Sequence, residues 1–237
     1  MEIKEPLFVR TSTGWFKLTP SSIGGDDKIG ELLAARAAQA FPNAFQLGGQ
    51  PAHVSLSGPP SSRRALISVC VPKLKVHTFY SVSEGALVPV FRNLPDSVRM
   101  DLEWTPPPTM RLWFALDAQM VDGKWRHGTP FVFLKSTNKA HAGTFKVPLP
   151  NCYDHGAICL GHVDWKIGDV LTVAQQAYDQ LQTATWNTDL LYDHDAPARN
   201  GLFRFDLATN KQIPFTAEWE RLVKRLSNPT IDTAITQ

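Results

Sequence analysis

Proline removes a backbone donor and clashes with the preceding turn, so it is kept out of helix interiors and central strands. In this chain of 237 residues eighteen prolines and fifteen glycines are spread along the whole length rather than gathered in one linker. Such spacing leaves room only for many short elements joined by turns. The length is enough to bury a full core, as one domain or as one domain with an extension. A hydrophobic content of 43% against 19% charged residues is that of a soluble globular protein. The net charge of +2 gives no general affinity for nucleic acid or for a membrane surface. No run of about eighteen apolar residues spans a bilayer. Met1-Glu2-Ile3-Lys4-Glu5-Pro6 is unlike a secretory signal, and three cysteines are a poor disulfide framework. Both features predict a cytoplasmic protein with free thiols.

Residues 7–19 predict a hairpin, with Leu7-Phe8-Val9-Arg10 and Trp15-Phe16-Lys17-Leu18 flanking a turn at Ser12-Thr13-Gly14. Asp26 or Asp27 can cap a helix over 28–41, which Pro42 ends. Residues 46–62 are rich in Gly, Ser and Pro and read as a loop, with Gly58-Pro59-Pro60-Ser61-Ser62 the candidate linker. The expected division is an N-terminal extension, 1–62, and a main domain, 63–237. From Arg63 the chain turns apolar and β-branched, with strands expected at 65–71, 75–80, 86–91, 98–104, 110–116 and 130–134. Pro89 demotes its segment to an edge strand or a bend, and Asp122-Gly123 marks a tight hairpin turn. Short runs without a long helix between them predict an antiparallel meander. Further on, Val170, Val173, Ala174, Ala177, Tyr178 and Leu181 share one face of a helix. Thr216 starts a second helix that ends before Pro229. The order predicts an α+β protein.

Between the meander and the first of these helices lies Val147-Pro148-Leu149-Pro150-Asn151-Cys152-Tyr153-Asp154-His155-Gly156-Ala157-Ile158-Cys159-Leu160-Gly161-His162. Cys159 emerges from the apolar pair Ala157-Ile158 at the end of a turn. A buried small hydrophobe is the plain reading of such a cysteine; a nucleophilic thiol is the chemical one. Cys152, His155, Cys159 and His162 also offer the two thiols and two imidazoles of a zinc site. Only three residues separate the two pairs, however, which strains tetrahedral closure. A Cys-His hydrolase would need a base and an orienting group for which the chain carries no motif. Cys70, in an apolar strand, reads as core, Cys152 as packing, and His155 as a solvated turn residue. The Gly24-Gly25 and Gly48-Gly49 pairs lack the spacing and the Lys-Ser/Thr of a phosphate loop.

The stretch from Leu149 to Leu160 resembles the active-site segment of ubiquitin-conjugating enzymes. That family has His-Pro-Asn, a short turn with Gly, and a small apolar lead to Cys-Leu. Here Asn151 stands eight residues before Cys159 and Gly156 three before it, as in the family. The Pro-Leu-Pro-Asn…Gly-x-x-Cys-Leu-Gly form is similar to the prokaryotic group called family D. The resemblance covers about residues 65–195, and only these twelve positions are specific. It implies a UBC-like fold: an antiparallel β-meander, an irregular active-site Cys segment and C-terminal helices, preceded by an N-terminal hairpin-helix extension. It further implies a thioester transferase that accepts a ubiquitin-like modifier on Cys159, with Asn151 stabilising the oxyanion and His162 or an aspartate assisting the acceptor. The partners implied are a ThiF-type activating enzyme, the modifier, and a metalloprotease of the JAB type; no cofactor is implied. Leu149 stands where the family has its motif histidine. His162 and His194, with Asp164, Asp189 and Asp193, are the remaining candidates for a base. The alternative is a non-catalytic UBC-like adaptor in a plasmid-associated or modifier-linked complex.

Overall fold

The computed structural model describes residues 46–59, 62–138, 142–187, 190, 202–209, 211–213 and 225–226, and the backbone of 7–11 and 14–18. Strand β1 (Leu7–Thr11) pairs antiparallel with β2 (Gly14–Leu18), the hairpin expected there. The helix expected over 28–41 falls outside the described residues; of the one expected from Thr216 only Arg225 and Leu226 are described, and they are not helical, Arg225 bridging Phe145 and Leu226 bonding Thr144.

The other strands form two antiparallel sheets. The larger has β3 (Gln46–Leu47) at one end, followed by β4 (Gln50–Ser57), β5 (Arg64–Val71), β9 (Met110–Val121), β11 (Pro130–Ser136) and β12 (Thr144–Lys146). Strand β10 (Lys124–Arg126) pairs with the end of β9 across the Asp122-Gly123 turn, where both residues have positive φ. The smaller sheet has the order β13 (Phe205–Asp206), β7 (Ala86–Pro89), β6 (Leu74–Ser83), β8 (Val98–Trp104). Pro72 ends the β5 ladder, and two residues later the chain is in β6 of the other sheet. Thr105-Pro106-Pro107-Pro108-Thr109 carries it back to β9, because three prolines in a row cannot continue a ladder.

These crossings overturn the α+β expectation and the UBC-like fold. Strands consecutive in sequence are divided between two sheets, so β5 lies beside β9 and β6 beside β8, and no single meander forms. Strands dominate the described residues, with one long helix among them. Residues 46–62 are no loop: β3 and β4 form a hairpin about Gly48-Gly49, and β4 pairs with β5. The Gly58–Ser62 stretch is thus a connection within one sheet, and that sheet runs across the boundary expected at 62/63.

Helix α1 (Val170–Thr183) is the helix expected at this place. Asp169 caps it, accepting from the Thr172 backbone N–H at 2.9 Å. Its face of Val173, Ala174, Ala177, Tyr178 and Leu181 is buried. That face shares one core with Ile67, Val69 and Phe114 of the larger sheet and Val76, Tyr80 and Trp104 of the smaller. Gly48, at φ +57, lies so close to the Tyr178 ring that a Cβ there would collide with it. The opposite face of the larger sheet carries a second cluster, Ala115, Phe131, Phe133, Ala157 and Leu226. Ala157 belongs to the cysteine stretch, which runs along β11 as an edge of the larger sheet, with Ala157 on that outer face and Cys152 and Ile158 on the face of the main core.

Candidate functional site

The chain enters the cysteine stretch buried: every residue from Thr144 to Cys152 is inside. Leu149, in the place of the family's histidine, is 1% exposed and part of the main core. A turn closes with the Cys152 N–H donating to Leu149 O at 3.0 Å. From there residues 151–159 form a small antiparallel loop. Tyr153 N–H donates to Ala157 O and Cys159 N–H to Asn151 O, each at 2.8 Å. Gly156 turns the tip with φ 88, a conformation costly to any residue with a Cβ. The loop is sewn onto β11: Val132 N–H donates to Gly156 O at 3.1 Å and Ile158 N–H to Pro130 O at 2.9 Å.

This ladder sorts the two cysteines. Cys152 bridges Ile158, and both are buried in the main core. Cys159, the next residue along, is exposed, although its neighbours Ile158 and Leu160 are inside. Its backbone is held while its thiol faces solvent. Cys70 is half-buried in β5, and burial pushes its thiol above the ordinary range, against the opposing influence of Arg111.

Asn151 does the holding. Its side chain is buried, and its amide donates to Cys159 O at 3.3 Å and to Thr185 O at 3.5 Å, while Oδ1 accepts from Asn187 N–H at 3.1 Å. One side chain thus fastens the Cys159 turn to the segment that leaves α1. That segment is fixed in turn to β6: Trp186 N–H donates to His77 O at 3.0 Å, and the Thr78 hydroxyl to Trp186 O at 2.7 Å. The His77 ring lies between Asp101 Oδ1 and Gln182 O, 2.8 Å from each.

Asn151 and Cys159 are brought together, through the backbone of Cys159. His162 is not brought to them: its ring is fully exposed and lies 3.9 Å from Asp164, itself fully exposed. His155 stacks on Tyr153 at the tip of the loop, 5.6 Å between ring centres. His194, Asp189 and Asp193 lie outside the described residues. Among the described residues no group of three or more His, Cys, Asp or Glu is placed to hold a metal ion, so the Cys152, His155, Cys159 and His162 set does not assemble.

Sequence reasoning missed Lys146. Its side chain is 1% exposed, and its ammonium group pairs with Asp154 at the loop tip, 3.2 Å away. A lysine between Phe145 and Val147 on a short strand was the available signal. No protein-family model, curated protein or solved structure matches the chain. No helix among the described residues is long and apolar enough to cross a membrane.

Proposed function

We propose that Cys159 is an acyl-carrier thiol, taking the C-terminal acyl group of a ubiquitin-like modifier and passing it to an acceptor nucleophile. What carries this reading is the contrast at Cys159 itself: a backbone bonded on both sides by Asn151, and a thiol left in solvent. The resemblance of residues 149–160 to an active-site segment supplies the substrate class. In the first step the Cys159 thiolate attacks the thioester carbonyl carbon on a ThiF-type activating enzyme, and that enzyme's thiolate leaves. In the second an acceptor amine displaces Cys159 and loses a proton. Asn151 can serve the oxyanion by exchanging its longest contact, the 3.5 Å one to Thr185 O, for the developing charge. His162 and Asp164, both in solvent beside the loop, are the groups available to take the amine proton.

A second reading is a non-catalytic adaptor, favoured by the engagement of every polar atom of the Asn151 amide within the protein. The two separate on a non-reducing gel after mixing the protein with activating enzyme, modifier and ATP. The carrier forms a thiol-sensitive adduct that Cys159→Ala abolishes and Cys152→Ala retains. No adduct from a demonstrably charged activating enzyme leaves the adaptor.

A further inference from the structure

A tetrahedral intermediate on Cys159 needs a donor for its oxygen, and the Asn151 amide must release Thr185 O before it can turn to a substrate. The residues after the thiol offer a donor that has no bond to release. Asn151 donates to Cys159 O at 3.3 Å, and Gln180 of α1 donates to the next carbonyl, Leu160 O, also at 3.3 Å. Two side-chain amides from separate elements thus draw two successive carbonyls into the protein. In a trans peptide the C=O of one residue and the N–H of the next point in opposite directions. The Leu160 carbonyl is turned toward α1, so the Gly161 N–H is turned away from it. The Cys159 side chain takes the same direction. Ile158 lies in the main core with α1 and Ala157 in the cluster on the opposite face of the sheet, so alternation puts Cys159 with Ala157, away from α1. Among the described residues the Gly161 N–H has no acceptor. It follows the thiol by two residues, the offset at which a short side chain reaches a backbone N–H. Gly161 has φ 79, and a Cβ added there would meet nothing within 4 Å. Packing does not call for glycine at this position; the left-handed backbone does, and the bare peptide lets another molecule approach it closely.

We propose that the Gly161 N–H is the oxyanion donor for acyl transfer at Cys159, with Gln180 the positioning residue that aims it through the Leu160 carbonyl. This rests on the reading of Cys159 as an acyl carrier. As the Cys159 thiolate bonds to the acyl carbon, an electron pair of the carbonyl moves onto its oxygen, and the Gly161 N–H donates to the charge that forms there. The pair returns to the carbonyl as the bond to the leaving group breaks, and the N–H is free again.

Two small probes on the full chain separate this role from a merely structural one. p-Nitrophenyl acetate acylates a thiol through a tetrahedral oxyanion and expels nitrophenolate. Iodoacetamide alkylates it by direct displacement of iodide and forms no oxyanion. Both products are read at Cys159 by peptide mass spectrometry. Glycolic acid incorporated in place of Gly161 exchanges the N–H for an ester oxygen. It is expected to slow acylation about 100-fold and to leave alkylation unchanged. Gln180→Met keeps the N–H but releases the Leu160 carbonyl, so it should lose part of the acylation rate and none of the alkylation rate. Equal losses in both reactions would reduce Gly161 and Gln180 to supports for the thiol and overturn the proposal. So would acylation indifferent to the ester, or a modifier adduct that forms at the wild-type rate in the ester variant, which would leave the carrier standing without this donor. A selective loss of acylation, with no adduct from a charged activating enzyme, supports the donor and overturns the carrier reading instead.

Discussion

The Asn151–Cys159 loop and strand β4 invert the usual relation between regularity and constraint. The loop has no regular secondary structure beyond isolated bridges, yet its backbone is bonded internally, to β11 and through Asn151 to the residues after α1. Strand β4 is regular over eight residues, yet over 52–57 only one of its edges is paired among the described residues. Constraint follows from how many buried polar groups depend on a position, not from the label of the element it occupies. The loop should therefore be brittle to single changes and β4 tolerant of them.

Asn151→Ala is the severest test of that contrast. It strips the buried Asn151 amide from Asn187 N–H, Cys159 O and Thr185 O, three residues that are themselves exposed. A buried group left unsatisfied costs about 1–3 kcal/mol and water can reach part of this set, so the expected loss is about 2 kcal/mol, read from urea unfolding. Cys159 should also lose its fixed position, and alkylation of Cys152, slow in the wild type, should accelerate. A loss below about 1 kcal/mol would show that these contacts do not carry the loop.

Gly156→Ala probes the same loop without touching a side-chain contact. A φ of 88 suits glycine and strains alanine. Left-handed backbone costs an L-residue roughly 1–2 kcal/mol, and the urea midpoint should fall accordingly.

The sequence carried part of this. The α1 face was legible because Val173, Ala174, Ala177, Tyr178 and Leu181 repeat at helical spacing. Strand β8 was legible from end to end, Val98–Trp104, and the Asp122-Gly123 turn from its residue types. The hairpin β3–β4 was not, since Gly48-Gly49 followed by Pro51, Ser55 and Ser57 has the composition of a loop; the alternation of Ala52, Val54 and Leu56 was the weaker, correct signal. Sheet membership was hidden altogether. A strand's pattern reports that one face is buried but not against which neighbour, so the crossings at Pro72 and Pro106-Pro107-Pro108 turned an expected meander into two layers. At the site, the eight-residue interval from Asn151 to Cys159 was readable, and the structure places the two in contact. The role of Asn151 as a clamp was not, because it depends on Thr185 and Asn187, more than thirty residues away in sequence.

Behind the loop, Asp101 offers a pH-dependent handle. The hydrogen bond from His77 holds its carboxyl below the ordinary range, against a smaller opposing effect of desolvation. A depressed folded-state value stabilises the protein above the unfolded carboxyl's pKa and loses that contribution as the pH falls through the lowered one. The difference in urea midpoint between wild type and Asp101→Asn should therefore be constant at higher pH and shrink once the pH drops below about 4. A difference that grows on acidification would reverse the sign and disconnect His77 from the clamp.

The smallest effect belongs to β4. Ser55→Thr replaces a partly buried residue on the outer row by one better suited to a strand, and breaks no side-chain hydrogen bond among the described residues. Its urea midpoint, measured where the chain is dilute, should shift by no more than about 0.5 kcal/mol equivalent. Gly156→Ala adds one methyl group as Ser55→Thr does, and its larger cost isolates what the surrounding bonds contribute. If the two substitutions cost the same, the loop is no more constrained than the strand edge, and the contrast between them disappears.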